Sequence, residues 1–276
     1  MAGRKLKIAI SPCPNDTFIV SGIYLGKVIS EGFKLDFFFE DVETLNRWAI
    51  ESRFEIIKTS FGVWGKIYKN YELLPVGSAL GFGVGPLLVG KKFFTLSEFS
   101  ELKVAIPGEH TTAHHLFNFF YKGKIEKIFM KYDEIIPFLL KDRCEMGILI
   151  HEGRFVYEKY HLKKIVDLGE YWERKTGAPV PLGGYFVKRN LPFEIKKEVI
   201  FLLRKSLEWA EKNWEEVYPF LKTYARELEE EIIKKHVNTF VNKYTFGFSE
   251  EALKALETFA RLTGINESIK NLIFEG

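Results

Sequence analysis

From residue 6 onward, short apolar runs alternate with segments whose apolar residues recur every three to four positions, the pattern of layered α/β structure. Residues 6–10 read as a buried strand, followed by the loop Ser11-Pro12-Cys13-Pro14-Asn15-Asp16. A helix over 17–29 comes next, with Asp16 or Asn15 available as its N-cap. Residues 34–39 form the next expected strand, and 41–52 a short helix with Leu45, Trp48 and Ala49 on one face. A strand over 54–57 runs into Lys58-Thr59-Ser60, and extended segments over 71–76 and 86–89 flank Gly81-Phe82-Gly83-Val84-Gly85.

A second unit begins near Lys91. It holds a strand over 102–106, the turn Pro107-Gly108-Glu109-His110-Thr111-Thr112, and a helix with Ala113, Leu116, Phe117 and Phe120 on one face. A helix over 133–141 tolerates Pro137 near its start, 146–150 is an apolar strand ending at His151, and 165–168 is an edge strand. The stretch 175–184 reads as a loop, and from Pro192 the pattern is almost entirely helical. Those late helices lack a sheet of their own and need the first one to pack on. The expectation is therefore an α/β fold of two lobes with a ligand cleft between them. Residues 1–89 and 185–276 make the large lobe and 90–184 the inserted small one.

Composition narrows the function. Forty Lys+Arg against thirty-seven Asp+Glu leave a net charge of +3, and no basic stretch interleaves with aromatics, so nucleic acid is not an expected partner. No apolar run approaches the ~18 residues of a membrane span, and the basic start lacks a signal peptide's apolar region, so a cytoplasmic protein without a membrane partner is expected. The 26 Phe suit large cores and cleft walls. Two cysteines, Cys13 and Cys144, are too few and too far apart for a disulfide framework or a cysteine zinc site. Cys144 reads as a buried inert thiol, and Cys13 is a nucleophile only if its pKa is lowered.

In open α/β sheets, ligands bind beyond the carboxyl ends of strands, where helix N-termini also point. Four loops share that placement: 11–17, 58–60, 108–112 and 151–154. His151 is the sharpest candidate, a general base that titrates near neutrality at the end of an apolar strand. Glu152 and Arg154 are read as supporting groups or one lobe-closing ion pair. One of Thr111 and Thr112 should cap the helix, leaving the other hydroxyl for an anion. Lys58 and Ser60 divide in the same way between structure and ligand. His110, His114 and His115 resemble a metal cluster only superficially, because no His-Glu-x-x-His arrangement accompanies them, and no metal is expected. The glycine-rich segment 81–85 lacks a Gly-Lys-Ser/Thr ending and reads as a hinge.

Four motifs carry a family resemblance. They are Ser11-Pro12-Cys13-Pro14-Asn15-Asp16-Thr17-Phe18, Asp41-Val42-Glu43-Thr44-Leu45-Asn46, Gly108-x-x-Thr111-Thr112-Ala113 and Ile150-His151-Glu152-Gly153-Arg154-Phe155. With them the chain resembles the 1,4-dihydroxy-6-naphthoate synthases of the futalosine route to menaquinone, over nearly its whole length. The resemblance implies a type II periplasmic-binding-protein-like fold used as a lyase. The reaction would convert cyclic dehypoxanthinyl futalosine, a small carboxylate, to 1,4-dihydroxy-6-naphthoate, with no cofactor and no metal. It carries the base onto His151 and substrate contacts onto Lys58, Thr59, Ser60, Thr111 and Thr112, with Asn46 and Asn15 as further contacts. Chorismate dehydratase of the same pathway and a non-catalytic solute-binding protein are the alternatives.

Overall fold

The structure is a computed structural model and describes residues 4–225 and 229–275. Its strands are β1 (Arg4–Ile10), β2 (Phe33–Phe39), β3 (Ile56–Ser60), β4 (Tyr71–Leu73), β5 (Ala79–Gly81) and β6 (Leu87–Gly90). They continue as β7 (Lys103–Ile106), β8 (Glu126–Phe129), β9 (Met146–Leu149), β10 (Lys163–Asp167) and β11 (Val180–Lys188). One sheet runs β2-β1-β3-β11-β4, with β5 also on β11; the other runs β10-β6-β9-β7-β8. β2, β1 and β3 are parallel, as are β8, β7 and β9, while β11 and β6 run antiparallel to their neighbours. The parallel strands put the loops that follow β1, β3, β7 and β9 at the carboxyl ends of their sheets.

Sheet membership puts both expected lobe boundaries inside strands. β6 starts at Leu87 and lies wholly in the second sheet, so a division at 89/90 cuts it. β11 starts at Val180 and lies wholly in the first, so a division at 184/185 cuts that strand too. The residues 180–184 looked like a loop because Pro and Gly dominate them. Here the glycine is a fitting requirement. A Cβ on Gly183 would lie 2.5 Å from the Thr59 carbonyl oxygen, and the β5–β11 register shifts between Pro181 and Gly183. β8 escaped the sequence reading because Glu-Lys-Ile-Phe on a half-exposed edge has no apolar run to betray it.

The late helices do pack on the first sheet. Ile8, Ile10, Phe18 and Ile19 share a core with Val199, Leu203 and Leu207 of the helix Phe193–Lys212 and with Leu221 and Val237. Each such side chain contributes about 1.5–3 kcal/mol relative to exposure. A second core joins the lobes, with Ile57 and Phe61 meeting Leu116, Phe117, Trp172 and Phe259. No described helix is long and apolar enough to cross a membrane.

Candidate active site

The loops after β1, β3, β7 and β9 converge on one cleft with about 720 Å³ of empty space including its open mouth. Asn15, Lys58, Thr59, Ser60, Thr111, Thr112 and His151 all line it. Asn46 does not. It is fully buried behind Ser60, accepting the Ser60 N–H at 3.1 Å and donating to the His110 carbonyl at 3.2 Å. Both its polar ends are committed to holding the loops together, so a direct substrate contact is not what its position offers.

β3 delivers Lys58, Thr59 and Ser60, all buried, to the floor of the cleft. Across from them Thr111 caps the helix Thr112–Phe120, its Oγ1 accepting the His114 N–H at 3.2 Å and donating to the Gly108 carbonyl at 2.9 Å. Thr112 serves the lobe contact instead. Ser60 Oγ donates to Thr112 Oγ1 at 2.9 Å and accepts the Thr112 N–H at 2.6 Å, while Thr112 Oγ1 donates to the Leu182 carbonyl at 2.9 Å. The approach needs a residue without a side chain beside it. A Cβ on Gly62 would fall 2.4 Å from the Thr111 carbonyl carbon. Among these hydroxyls, only Thr59 Oγ1 is buried without a partner.

The other side of the floor is ionic. Lys58 Nζ lies 3.2 Å from Asp16 Oδ1, donates to the Gly77 carbonyl and sits over the Tyr185 ring. Burial pushes the Lys58 pKa down, against the opposing pull of Asp16. Asp16 also accepts from Ser11 Oγ at 2.7 Å and from Asn15 Nδ2 at 2.8 Å. Asn15 Oδ1 in turn accepts from Nε2 of the wholly buried His236 at 3.0 Å. Sequence reading had offered Asp16 and Asn15 as caps; neither side chain caps the helix Pro14–Tyr24, because both belong to this network.

His151 stands in the turn after β9 with φ 51°, a left-handed backbone that costs a non-glycine residue free energy and tends to mark functional sites. Its ring stacks on His236 with centroids 6.0 Å apart and meets Tyr132 edge-on at 4.8 Å. Burial lowers its pKa to about 4, with Asp16 pulling the other way, so the imidazole is neutral at pH 7. The Cys13 sulfur lies 3.1 Å from Nδ1 and 3.6 Å from Nε2. Burial, reinforced by Glu152 and Asp16, raises the Cys13 pKa well above its ordinary value. A thiol held protonated is no nucleophile, so that role for Cys13 is withdrawn; its place is beside the base. Cys144 is buried, and its pKa is pushed up to about 11.

The remaining histidines divide. His110 Nδ1 lies 2.7 Å from Glu43 Oε1 and its Nε2 lies 2.8 Å from Lys66 Nζ, an arrangement that ties the 107–111 loop to the helix Val42–Ile50. Glu43 also accepts the His110 N–H at 3.1 Å. His114 meets the Glu109 carbonyl and Lys127, and burial drives His115 to about 4. Among the described residues no three His, Cys, Asp or Glu side chains form a metal-holding group. Two further groups shape the cleft without a local sequence pattern to mark them: Asp16, which anchors Lys58, and Arg154, which lines the cleft with its side chain nine-tenths buried.

The chain matches the model of a family described as menaquinone biosynthesis over residues 6–264. It is 39% identical over 251 residues to 1,4-dihydroxy-6-naphthoate synthase of Thermus thermophilus, covering 91% of each chain. It is 32% identical over 273 residues to the enzyme of the same name from Streptomyces coelicolor, covering 96% of each. A crystal structure of an Archaeoglobus fulgidus protein superposes with a TM-score of 0.87 at 31% identity, covering 94% of this chain and 98% of that one. A Candida albicans protein described as having the generic periplasmic binding protein fold gives a TM-score of 0.67 at 12% identity, covering 98% and 96%, a likeness of fold alone. The fold is thus that of the periplasmic binding proteins, and the chain belongs to the menaquinone biosynthesis family.

Proposed function

We propose that this protein is a cofactor-independent carbon–carbon lyase that converts cyclic dehypoxanthinyl futalosine to 1,4-dihydroxy-6-naphthoate, with His151 as general base. The observation that carries the reading is a neutral imidazole in a left-handed turn at the end of β9, lining the cleft where the four loops converge. The names of both curated relatives support this activity over chorismate dehydratase or solute binding. In the reaction a base takes one proton, a C–C bond breaks with loss of a three-carbon fragment, and the ring gains aromaticity. The gain of aromaticity drives the fragmentation, so no separate electron sink is called for. Orientation is then the protein's main task. Cys13, kept as a thiol, faces both ring nitrogens and influences which of them carries the proton; substrate replaces this contact when it reaches the base. Thr59 offers an uncommitted hydroxyl, and Ser60, Thr112 and Lys58 frame the same surface.

The test is His151→Asn, which keeps a similar size but cannot take a proton near neutral pH. Turnover should fall about a hundredfold to ten-thousandfold, with product affinity changed by less than about tenfold. Near-normal kcat would remove His151 from the chemistry. A folded variant that neither binds nor turns over would make His151 a positioning residue.

A further inference from the structure

A buried guanidinium with an idle nitrogen stands three residues beyond the proposed base. Arg154 lies in the helix Gly153–Val156, lines the cleft, and has a side chain only 10% exposed. Its Nη2 donates to the Gly83 carbonyl at 2.9 Å and lies 3.9 Å from Asp167 Oδ2. Glu173, whose Oε1 accepts the Gly83 N–H at 2.7 Å, also faces this charge. Arg154 Nη1 is buried with no hydrogen-bond partner. Arg keeps its charge in proteins, and a buried charged donor without an acceptor is costly, so this nitrogen calls for an oxygen from outside.

The rest of the cleft does not compete for a carboxylate. The hydroxyl protons of Ser60, Thr111 and Thr112 already go to Thr112, Gly108 and Leu182 respectively. Thr59 has a free hydroxyl but no charge. The cleft's other cation, Lys58, is engaged by Asp16 and Gly77. Charge-assisted bonds to guanidinium are about twice as strong as neutral ones, and Arg suits planar carboxylates.

We propose that Arg154 is the carboxylate-reading residue of this cleft, its free Nη1 binding an aryl carboxylate and so fixing the ligand's aromatic body beside His151. This reading rests on the proposed function for the identity of the substrate, but not for the chemistry of recognition. It also revises the sequence-based expectation that the threonine pair holds the anion. Asp167 and Glu173 orient the guanidinium without using Nη1, and the free Thr59 hydroxyl of β3 is left for a neutral, oxygen-bearing part of the ligand.

The test compares 2-naphthoate with 2-naphthamide, an isostere without the charge, by calorimetric titration of the full chain. Wild type should prefer the carboxylate by about tenfold to a hundredfold, the range expected for hydrogen bonds to a charged group. Arg154→Gln should lose most of that preference while binding 2-naphthamide within about threefold of wild type. Arg154→Lys, which retains charge but not the fork, should fall between them. Thr112→Val should leave the preference intact. The proposal is overturned if wild type shows no preference, if Arg154→Gln weakens both probes equally, or if Thr112→Val removes the preference instead. Should Arg154→Gln not fold, the wild-type preference and the Arg154→Lys ratio still decide. Because neither probe is the substrate, a protein that prefers the carboxylate but makes no dihydroxynaphthoate would refute the proposed function and leave this assignment standing.

Discussion

The two ends of the cleft are built on opposite plans. At the Ser60–Thr112 end the hydroxyls satisfy one another and the Leu182 carbonyl, so the lobes are joined by groups that a ligand would otherwise use. At the His151–Arg154 end the polar groups are buried but underused: a neutral imidazole faces a thiol, and Arg154 Nη1 meets nothing. A satisfied end fixes geometry, and an unsatisfied end is where free energy is available for a ligand. The contrast assigns closure to the first and recognition with chemistry to the second.

The most severe way to break this comparison is to remove the charge beneath both ends. Lys58→Met leaves Asp16 buried beside a methyl group and should cost about 3–5 kcal/mol of stability in denaturant titrations, as breaking a buried pair does. Adding Asp16→Asn should restore much of the loss. If Lys58→Met is as stable as wild type, the pair is not the floor on which the loops rest. Next in size are the threonines. Thr111→Val removes an N-cap and should cost about 1 kcal/mol in stability, with little change in ligand affinity. Thr112→Val should weaken binding of substrate more than it weakens the fold, because it releases the lobe contact. Equal behaviour of the two variants would erase the distinction between cap and latch.

The smallest effects concern pH. His151 and His115 are both held near 4 by burial, below the ~6.5 of an unfolded histidine. As pH falls through that window the unfolded chain takes up protons first, so stability contributed by these groups is present above ~6.5 and lost toward 4. The acid limb of kcat/KM should lie near 4 in the free enzyme. The acid limb of kcat should lie higher, because a bound carboxylate favours the charged imidazole. Identical limbs would mean that no anion sits close to the base.

Much of this layout was legible in residues. His151 could be found because an apolar strand ends on it, and Thr111 because a helix pattern starts after it. The two-lobed plan followed from late helices with no sheet. What escaped was set by tertiary contacts. Residues 180–184, the start of β11, read as a loop until Thr59 is seen pressing on Gly183. Asn46 looks like a ligand contact until Ser60 and His110 are found at its two ends. The bond from His236 to Asn15 spans 221 positions, and no local pattern announces it. Arg154 could be placed in the right loop, but its free nitrogen is a property of the folded surroundings alone.

Catalysis of one fragmentation that leaves an aromatic ring is open to a direct assay. Purified protein, without added cofactor, is incubated in parallel with cyclic dehypoxanthinyl futalosine and with chorismate, and the absorbance of a dihydroxynaphthoate is followed. The chromophore should grow with the first compound, over many turnovers, and chorismate should be left unchanged. Binding of the first compound without turnover, or consumption of chorismate alone, would contradict it.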